Sequence, residues 1–278
     1  MPKSVLKAAA RAQWRHPLLK RCFDWSATRL RGKDSVIKYG VGQGLRFNTG
    51  NSNAGFVLGT AEPAVQKVMQ MLVRPGATVY DIGANVGFLS VIAARLAGPS
   101  GRVFAFEPLL ANFNQIQHNA RLNGFDNLTA IHLAVGDHDG TSVFITSKNP
   151  TWGKLSEVAG SIAEESGTVE VVVRRLDTVV SEQSLALPAL IKIDVEGAEA
   201  QVFDGALETI RKAQPILMIE LHGTNAAIAQ RLKQIGYLAV VLGSSKSIEE
   251  SRWDSYVIAF PARCPEMTEI ENGSFEAR

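Results

Sequence analysis

Thr78-Val-Tyr-Asp81-Ile-Gly83-Ala-Asn85-Val-Gly87 is the stretch that decides the fold. Its first five residues read as a buried strand, and Phe88–Leu96 follows as a helix closed by Gly98-Pro99. Between them lies a glycine-rich turn, which lets a ligand approach the backbone beside the free N–H groups of a helix start. The turn is not a dinucleotide fingerprint, because G-x-G-x-x-G requires glycine where Asn85 and Phe88 stand. G-x-x-x-x-G-K-[ST] is absent from the chain, so the phosphate-loop reading fails as well. What remains is an acid followed by G-x-N-x-G, which taken alone is equally compatible with a generic tight turn.

The same alternation of strand and helix extends on both sides. Upstream, Val65, Val68, Met69 and Leu72 repeat with helical spacing until Pro75-Gly76. Downstream come a strand over Val103–Phe106, a helix over Leu110–Leu122 stopped by Asn123-Gly124, and a third strand over Leu128–Val135. Thr141–Thr146 and Thr168–Arg174 read as two strands of an inserted hairpin flanking a Gly/Ser-rich loop. Alternation resumes with a strand over Ala189–Ile193, a helix over Glu199–Arg211, a strand over Ile216–Leu221 and a helix over Asn225–Ile235. Tyr237–Leu242 and Ser255–Phe260 are the last two strands. Such repetition predicts a single α/β unit: one doubly wound, mostly parallel, seven-stranded sheet with helices on both faces. Residues 75–260 form its core, with an insertion at about 141–175. Residues 1–74 are a basic arm and a cap or lid segment, and 261–278 are a polar tail.

Composition narrows the functional classes. Residues 1–33 hold nine Lys or Arg against one acid, Asp24, a balance of +8 in a chain of net charge +2, so the remainder carries −6. A basic arm on a mildly acidic body is not the pattern of a uniformly basic nucleic-acid binder. Cys22 and Cys264 form neither a disulfide framework nor a zinc motif, which makes a reducing cytoplasm the expected compartment. The chain holds no run of 18 apolar residues, and its first residues lack the apolar core of a signal peptide.

In sheets of this kind ligands bind at the carboxyl ends of the strands. The second strand ends in Phe106-Glu107-Pro108, 26 positions past Asp81. An acid there can accept hydrogen bonds from a ribose diol, or it can simply complement a helix dipole. An acid and glycine turn followed by such a carboxylate suits an adenosyl ligand without pyrophosphate. Further candidates stand at later strand ends: Asp194, Glu196 and Glu199, then Glu220 and His222. Strand alternation puts Glu220 and His222 on one face with Leu221 opposite. The bland readings are dipole-stabilised acids for Glu196 and Glu199, a cross-strand pair of Glu220 with Lys192, and a structural His222. His16, His118, His132 and His138 show no ligand spacing and read as surface residues.

These motifs resemble the FkbM family of class I S-adenosylmethionine-dependent methyltransferases. The resemblance runs from about Gly59 to Gly223. It rests on Gly59-Thr-Ala-Glu62, Pro75-Gly76 with Val79–Gly87, Phe106-Glu-Pro108, Ala134-Val-Gly-Asp137, Leu176-Asp177, Ile191-Lys-Ile-Asp-Val-Glu-Gly-Ala-Glu199 and Ile219-Glu-Leu-His222. It implies that Gly83, Asn85 and Gly87 line the methionine part of S-adenosyl-L-methionine, with Asp81 supporting the loop and the ammonium. Glu107 would hold the ribose hydroxyls, and Val135 would edge the adenine. Asp137 is the candidate to read the adenine amine. His222 and Asp194, with Glu220 beside them, are the candidates to take a proton from an acceptor hydroxyl. As an alternative, Asp194, Glu220 and His222 would hold a divalent cation, a reading not favoured over metal-free transfer.

The resemblance implies O-methylation of a hydroxyl on a sugar, glycolipid or polyketide-like molecule, with Glu62, Trp152 and Glu196 touching the acceptor. Lids would come from Phe47–Glu62 and from the insertion, where Trp152 either stacks on a sugar or anchors the hairpin. A nucleic-acid methyltransferase is the alternative, disfavoured because Asp194-Val-Glu-Gly replaces the N/D-P-P-Y/F segment; a non-catalytic adenosyl-binding module is a third. No specific nucleic acid is expected as partner. Lys3, Lys7, Arg11 and Arg15 fall on one helical stripe. Residues 1–33 therefore serve as a solvated cap, as a peripheral contact with an anionic membrane near a lipid-linked saccharide acceptor, or as a weak RNA contact.

Overall fold

A computed structural model describes residues 32–53, 55–147, 153–155 and 165–262. The basic stripe, both cysteines, Trp14, Trp152 and the tail beyond 262 lie outside the described residues.

Two short strands, β1 (Ser35–Val36) and β2 (Arg46–Phe47), pair antiparallel ahead of a one-turn helix α1 (Gly55–Leu58) and helix α2 (Pro63–Leu72). The alternating core follows as β3 (Thr78–Ile82), α3 (Phe88–Ala97), β4 (Arg102–Phe106), α4 (Leu110–Leu122) and β5 (Leu128–Ile131). Then come β6 (Ala134–Gly136), β7 (Gly140–Ser147), β8 (Gly153–Leu155), β9 (Glu165–Arg175) and α5 (Leu176–Glu182). The chain returns to the core as β10 (Leu190–Ile193), α6 (Glu199–Gly205), α7 (Leu207–Ala213), β11 (Ile216–Glu220), α8 (Asn225–Gln234), β12 (Tyr237–Val241) and β13 (Tyr256–Pro261).

The main sheet has seven strands in the order β12-β13-β11-β10-β3-β4-β5. β5, β4, β3, β10 and β11 run parallel, and β13 runs antiparallel to both of its neighbours. Alternate residues feed two cores. Val79, Val103, Ala105, Leu190 and Met218 pack with the side chains of α2, α3 and α4, whereas Tyr80, Phe104, Phe106, Ile191 and Leu217 pack with α5 to α8. The doubly wound sheet expected from the alternation is therefore present.

Three details differ from the sequence reading. The strand expected over Leu128–Val135 breaks after Ile131. β6 leaves the main sheet and pairs in parallel with β9, so the expected hairpin is the centre of a four-stranded sheet ordered β6-β9-β7-β8. An apolar run does not reveal such a change of partner. The helix expected over Glu199–Arg211 breaks at Gly205-Ala206, where a side chain on Gly205 would collide with the Gly136 carbonyl oxygen. Finally, Leu176-Asp177 opens an unanticipated helix, α5, and Asp177 accepts hydrogen bonds from the N–H groups of Glu208 (3.1 Å) and Thr209 (2.7 Å). It thus satisfies orphan donors at the start of α7 from outside that helix.

The cap segment is tied to the core by amides. Asn119 on α4 accepts from the Asn48 N–H and donates to the carbonyls of Asn48 and Val86. One turn on, Asn123 exchanges two hydrogen bonds with the Arg46 backbone. Phe47, Phe56 and Phe88 form a buried aromatic cluster beneath this segment. No helix among the described residues is long and apolar enough to cross a membrane.

Candidate active site

A cleft of roughly 680 Å³ opens at the carboxyl ends of β3, β4, β10 and β11. The turn after β3 forms its floor. Gly83 has φ +72°, and a Cβ there would strike the Asp194 carbonyl oxygen, so glycine is what allows the turn to lie against the end of β10. Gly87 has φ +82° and starts α3. Strain concentrates here. Of the five non-glycine residues with positive φ among the described residues, Glu62, Asn85 and Glu196 all line the cleft.

One end of the cleft is built around Glu107. Its Oε2 accepts the Asn85 N–H at 2.9 Å, and its Oε1 accepts the Leu109 N–H at 3.0 Å and the Asn112 amide at 3.3 Å. A carboxylate offers about four lone-pair positions, so Oε2 keeps one free, and the long Asn112 bond is the easiest to displace. Burial pushes the Glu107 carboxyl up to about 7, against the lowering pull of those donors. The Asn85 Oδ1 is buried without a hydrogen-bond partner. Leu133, Val135, Phe144 and Leu155 supply apolar walls at this end, the last two from the inserted sheet. Asp137 does not line the cleft; its side chain is half exposed and pairs with His138.

Asp81 stands behind the floor. Its side chain is 1% exposed, accepts a hydrogen bond from Ser90 and pairs with Lys192 at 3.1 Å. It lies behind the turn and does not line the cleft, whereas the sequence reading has it supporting both the loop and the ammonium. Parallel register places Lys192 directly beside Asp81. The Lys192 ammonium also reaches Asp194 at 3.4 Å and donates to the Gly83 carbonyl at 3.0 Å. Burial opposes its charge, yet Asp81, Asp194 and Glu62 outweigh that and hold its pKa above the ordinary lysine value. The bland reading that paired Lys192 with Glu220 gives way to this arrangement with Asp81 and Asp194.

The opposite end is a carboxyl cluster. His222 Nδ1 lies 2.9 Å from Glu199 Oε1, while Nε2 faces Glu196 at 3.5 Å and Glu220 at 3.9 Å. Glu199 is wholly buried and also accepts from the Gly197 N–H and the Thr224 hydroxyl. Burial disfavours the charged imidazole, but the Glu199 hydrogen bond and the charges of Glu196 and Asp194 raise His222 to about 9. His222 is thus an imidazolium at neutral pH, a proton donor rather than a ready base.

Burial, followed by the repulsion of Asp194, lifts Glu220 to about 8; burial likewise lifts Glu196 to about 7. The Tyr256 hydroxyl donates to Glu62 Oε2 at 2.9 Å, and burial raises the carboxyl of Glu62 as well. Ligand atoms of Asp194, Glu220 and His222 lie within 4.8 Å of one another.

The structure therefore brings together Glu62, Asp194, Glu196, Glu220 and His222, and separately Gly83, Asn85, Glu107 and Val135. Sequence reasoning missed Lys192, Asn112, Trp253 and Tyr256 as cleft or cluster residues and left Glu199 open between a site carboxylate and a dipole acid. Lys192 alone carried a signal, a lysine between Ile191 and Ile193 in an otherwise apolar strand.

This strand order, with an antiparallel strand inserted near one edge and a carboxylate at the end of the second core strand, is that of a class I methyltransferase. Residues 81–239 match the methyltransferase FkbM domain, and the chain belongs to that family. Over 161 residues it is 28% identical to the 2-O-methyltransferase NoeI of Sinorhizobium fredii, covering 54% of this chain and 65% of that protein. The match thus spans just under two thirds of that relative. Over 182 residues it is 26% identical to the 31-O-demethyl-FK506 methyltransferase FkbM of Streptomyces tacrolimicus, covering 56% of this chain and 70% of that protein. The crystal structure of methyltransferase FkbM from Methylobacillus flagellatus KT aligns at 18% identity with a TM-score of 0.47, over 74% of this chain and 52% of that one.

Proposed function

We propose that the chain is an S-adenosyl-L-methionine-dependent O-methyltransferase whose acceptor is a hydroxyl of a sugar, glycolipid or polyketide-like molecule. The observation that carries this is the division of one cleft into two ends. The Glu107 end keeps a free carboxylate lone pair and the unpartnered Asn85 Oδ1 beside apolar walls, a donor set that suits an adenosyl amino acid. When bound, S-adenosyl-L-methionine supplies an electrophilic methyl group on a sulfonium. Glu107 would accept from the ribose, Val135 and Leu133 would flank the base, and Asn85 Oδ1 would accept from the ammonium.

The carboxyl end receives the acceptor. An attacking hydroxyl must lose its proton, and groups poised near neutrality suit that task. Glu196 and Glu220 have such values, and Asp194 stands between them and Lys192. Of the two bases expected from sequence, Asp194 is favoured over His222, whose imidazolium is held by Glu199. His222 instead fixes the geometry of the carboxyl groups and donates from Nε2. The same acidic surface disfavours a phosphate backbone, which argues against nucleic acid as acceptor.

The mutual proximity of Asp194, Glu220 and His222 supports a second reading, in which they hold a divalent cation that binds the acceptor oxygen. Metal-free transfer is favoured, since the Lys192 cation already sits beside Asp194. Two measurements test the proposal. Calorimetry should detect S-adenosyl-L-methionine binding to the full chain. Methyl-labelled cosubstrate added to extract should place label in a saccharide, lipid or small-molecule fraction rather than RNA. Absence of binding heat refutes the adenosyl site, and label confined to RNA refutes the acceptor class. For the basic arm a solvated cap is the favoured proposal and a contact with an anionic membrane the alternative, with liposome pelleting of the full chain against a 34–278 variant as the test between them.

A further inference from the structure

Trp253 is 63% exposed, the most exposed of the large hydrophobic side chains among the described residues, and it lines the acceptor end of the cleft. Its indole lies 6.2 Å from the His222 ring at an angle of 59°. Leaving so much apolar surface in water is unfavourable, and here the backbone holds it there. The Gly223 N–H donates to the Trp253 carbonyl at 3.0 Å, and the Ser255 N–H donates to the Arg252 carbonyl at 3.2 Å. The Asn225 amide reaches the carbonyls of Ile248, Ser251 and Arg252, clamping the segment that precedes the indole. Arg252 then pairs with Asp254 through two nitrogens.

We infer that Trp253 is a stacking platform for the acceptor and that the acceptor is a neutral hexopyranose ring, free or at the end of a larger glycan. The inference rests on the O-methyl-transfer reading above and specifies its acceptor. An indole face packs against the C–H face of a pyranose, while the edge of such a ring carries several hydroxyls that need acceptors. Asp194, Glu196 and Glu220 present those acceptors beside the indole. A wholly apolar ligand would leave the remaining hydrogen-bonding capacity of these half-buried carboxyl groups unused. A uronate or phosphorylated sugar would bring a further acid into an end of the cleft that already holds the carboxyl groups of Glu62, Asp194, Glu196 and Glu220. A neutral polyol ring satisfies both constraints.

The test uses the full chain with S-adenosylhomocysteine bound and a panel of methyl hexopyranosides, methyl glucuronide and cyclohexanol as probes. Neutral pyranosides should perturb tryptophan emission, and the Trp253→Phe variant, which retains the other three tryptophans, should lose that change. For a methylated pyranoside, Trp253→Ala should raise KM by about tenfold or more with kcat within about threefold. Its affinity for S-adenosyl-L-methionine, measured by calorimetry, should equal that of the unmodified chain. Cosubstrate binding without any response to neutral pyranosides overturns the inference alone, as does an unchanged KM in Trp253→Ala. A preference for methyl glucuronide or cyclohexanol also overturns it. Loss of cosubstrate binding in the unmodified chain would overturn the transfer reading instead.

Discussion

The Nδ1 of His222 lies 2.9 Å from Oε1 of Glu199, a carboxylate with no exposure to solvent. This pair keeps a positive charge beside Glu196 and Glu220, which lowers their pKa values against the burial that raises them. Glu199→Gln should lower the His222 pKa from about 9 toward the ordinary histidine range, read by NMR titration of the ring nitrogens. The raised folded-state value means that the pair's contribution to stability is fully present below pH about 6.5. It is lost as pH rises through about 9. Denaturant midpoints of the unmodified chain and Glu199→Gln should therefore converge above that pH. Equal His222 titration in both proteins would refute the coupling.

Glu107→Gln should weaken S-adenosyl-L-methionine binding by about tenfold to hundredfold, the effect of losing hydrogen bonds to a charged acceptor. Ionised Glu107 is the better acceptor, and burial places its pKa at about 7. Affinity should thus rise from pH 6 to pH 8 in the unmodified chain and stay flat in Glu107→Gln. Calorimetry across that range reads both effects.

Asp194→Ala should reduce turnover by about 10²–10⁴-fold while cosubstrate affinity changes little. The Lys192 ammonium keeps Asp81 as its partner in this variant, so the fold should persist. Insensitivity of the unmodified enzyme to EDTA is expected alongside it; abolition by EDTA and recovery with one divalent cation would establish the metal reading.

Lys192→Met should destabilise the fold by about 3–5 kcal/mol, because Asp81 is left as an unpaired buried acid. Adding Asp81→Asn should recover part of the loss. Urea midpoints of the two single variants and the double variant provide the cycle.

Gly205→Ala should cost about 3 kcal/mol or more, since the new methyl must displace the Gly136 backbone rather than a side-chain tip. The same substitution at Gly98, which has open space around it, carries only the strain of its positive φ and should cost less. Thermal unfolding of the two variants compares collision with strain.

The architecture was legible in the chain because strand and helix periods, glycine turns and acids at strand ends are local signals. Thr78–Gly87, Phe106–Pro108 and Asp194–Glu199 announced a doubly wound sheet with a ligand site at its carboxyl edge, and the family follows from their order. Partner choice was not legible. Lys192 pairs with Asp81 rather than Glu220 because parallel register sets β10 against β3. β6 joins β9 because the chain turns after Ile131, and Asp177 caps a helix that begins thirty residues later. Nor could local pattern show that Glu199 would be buried under His222, or that Trp253 would stand beside the carboxyl cluster. Residue type and spacing determine which chemistry is at hand. Protonation, pairing and exposure depend on the dielectric and on neighbours from distant segments, and these exist only once the sheet has closed around them.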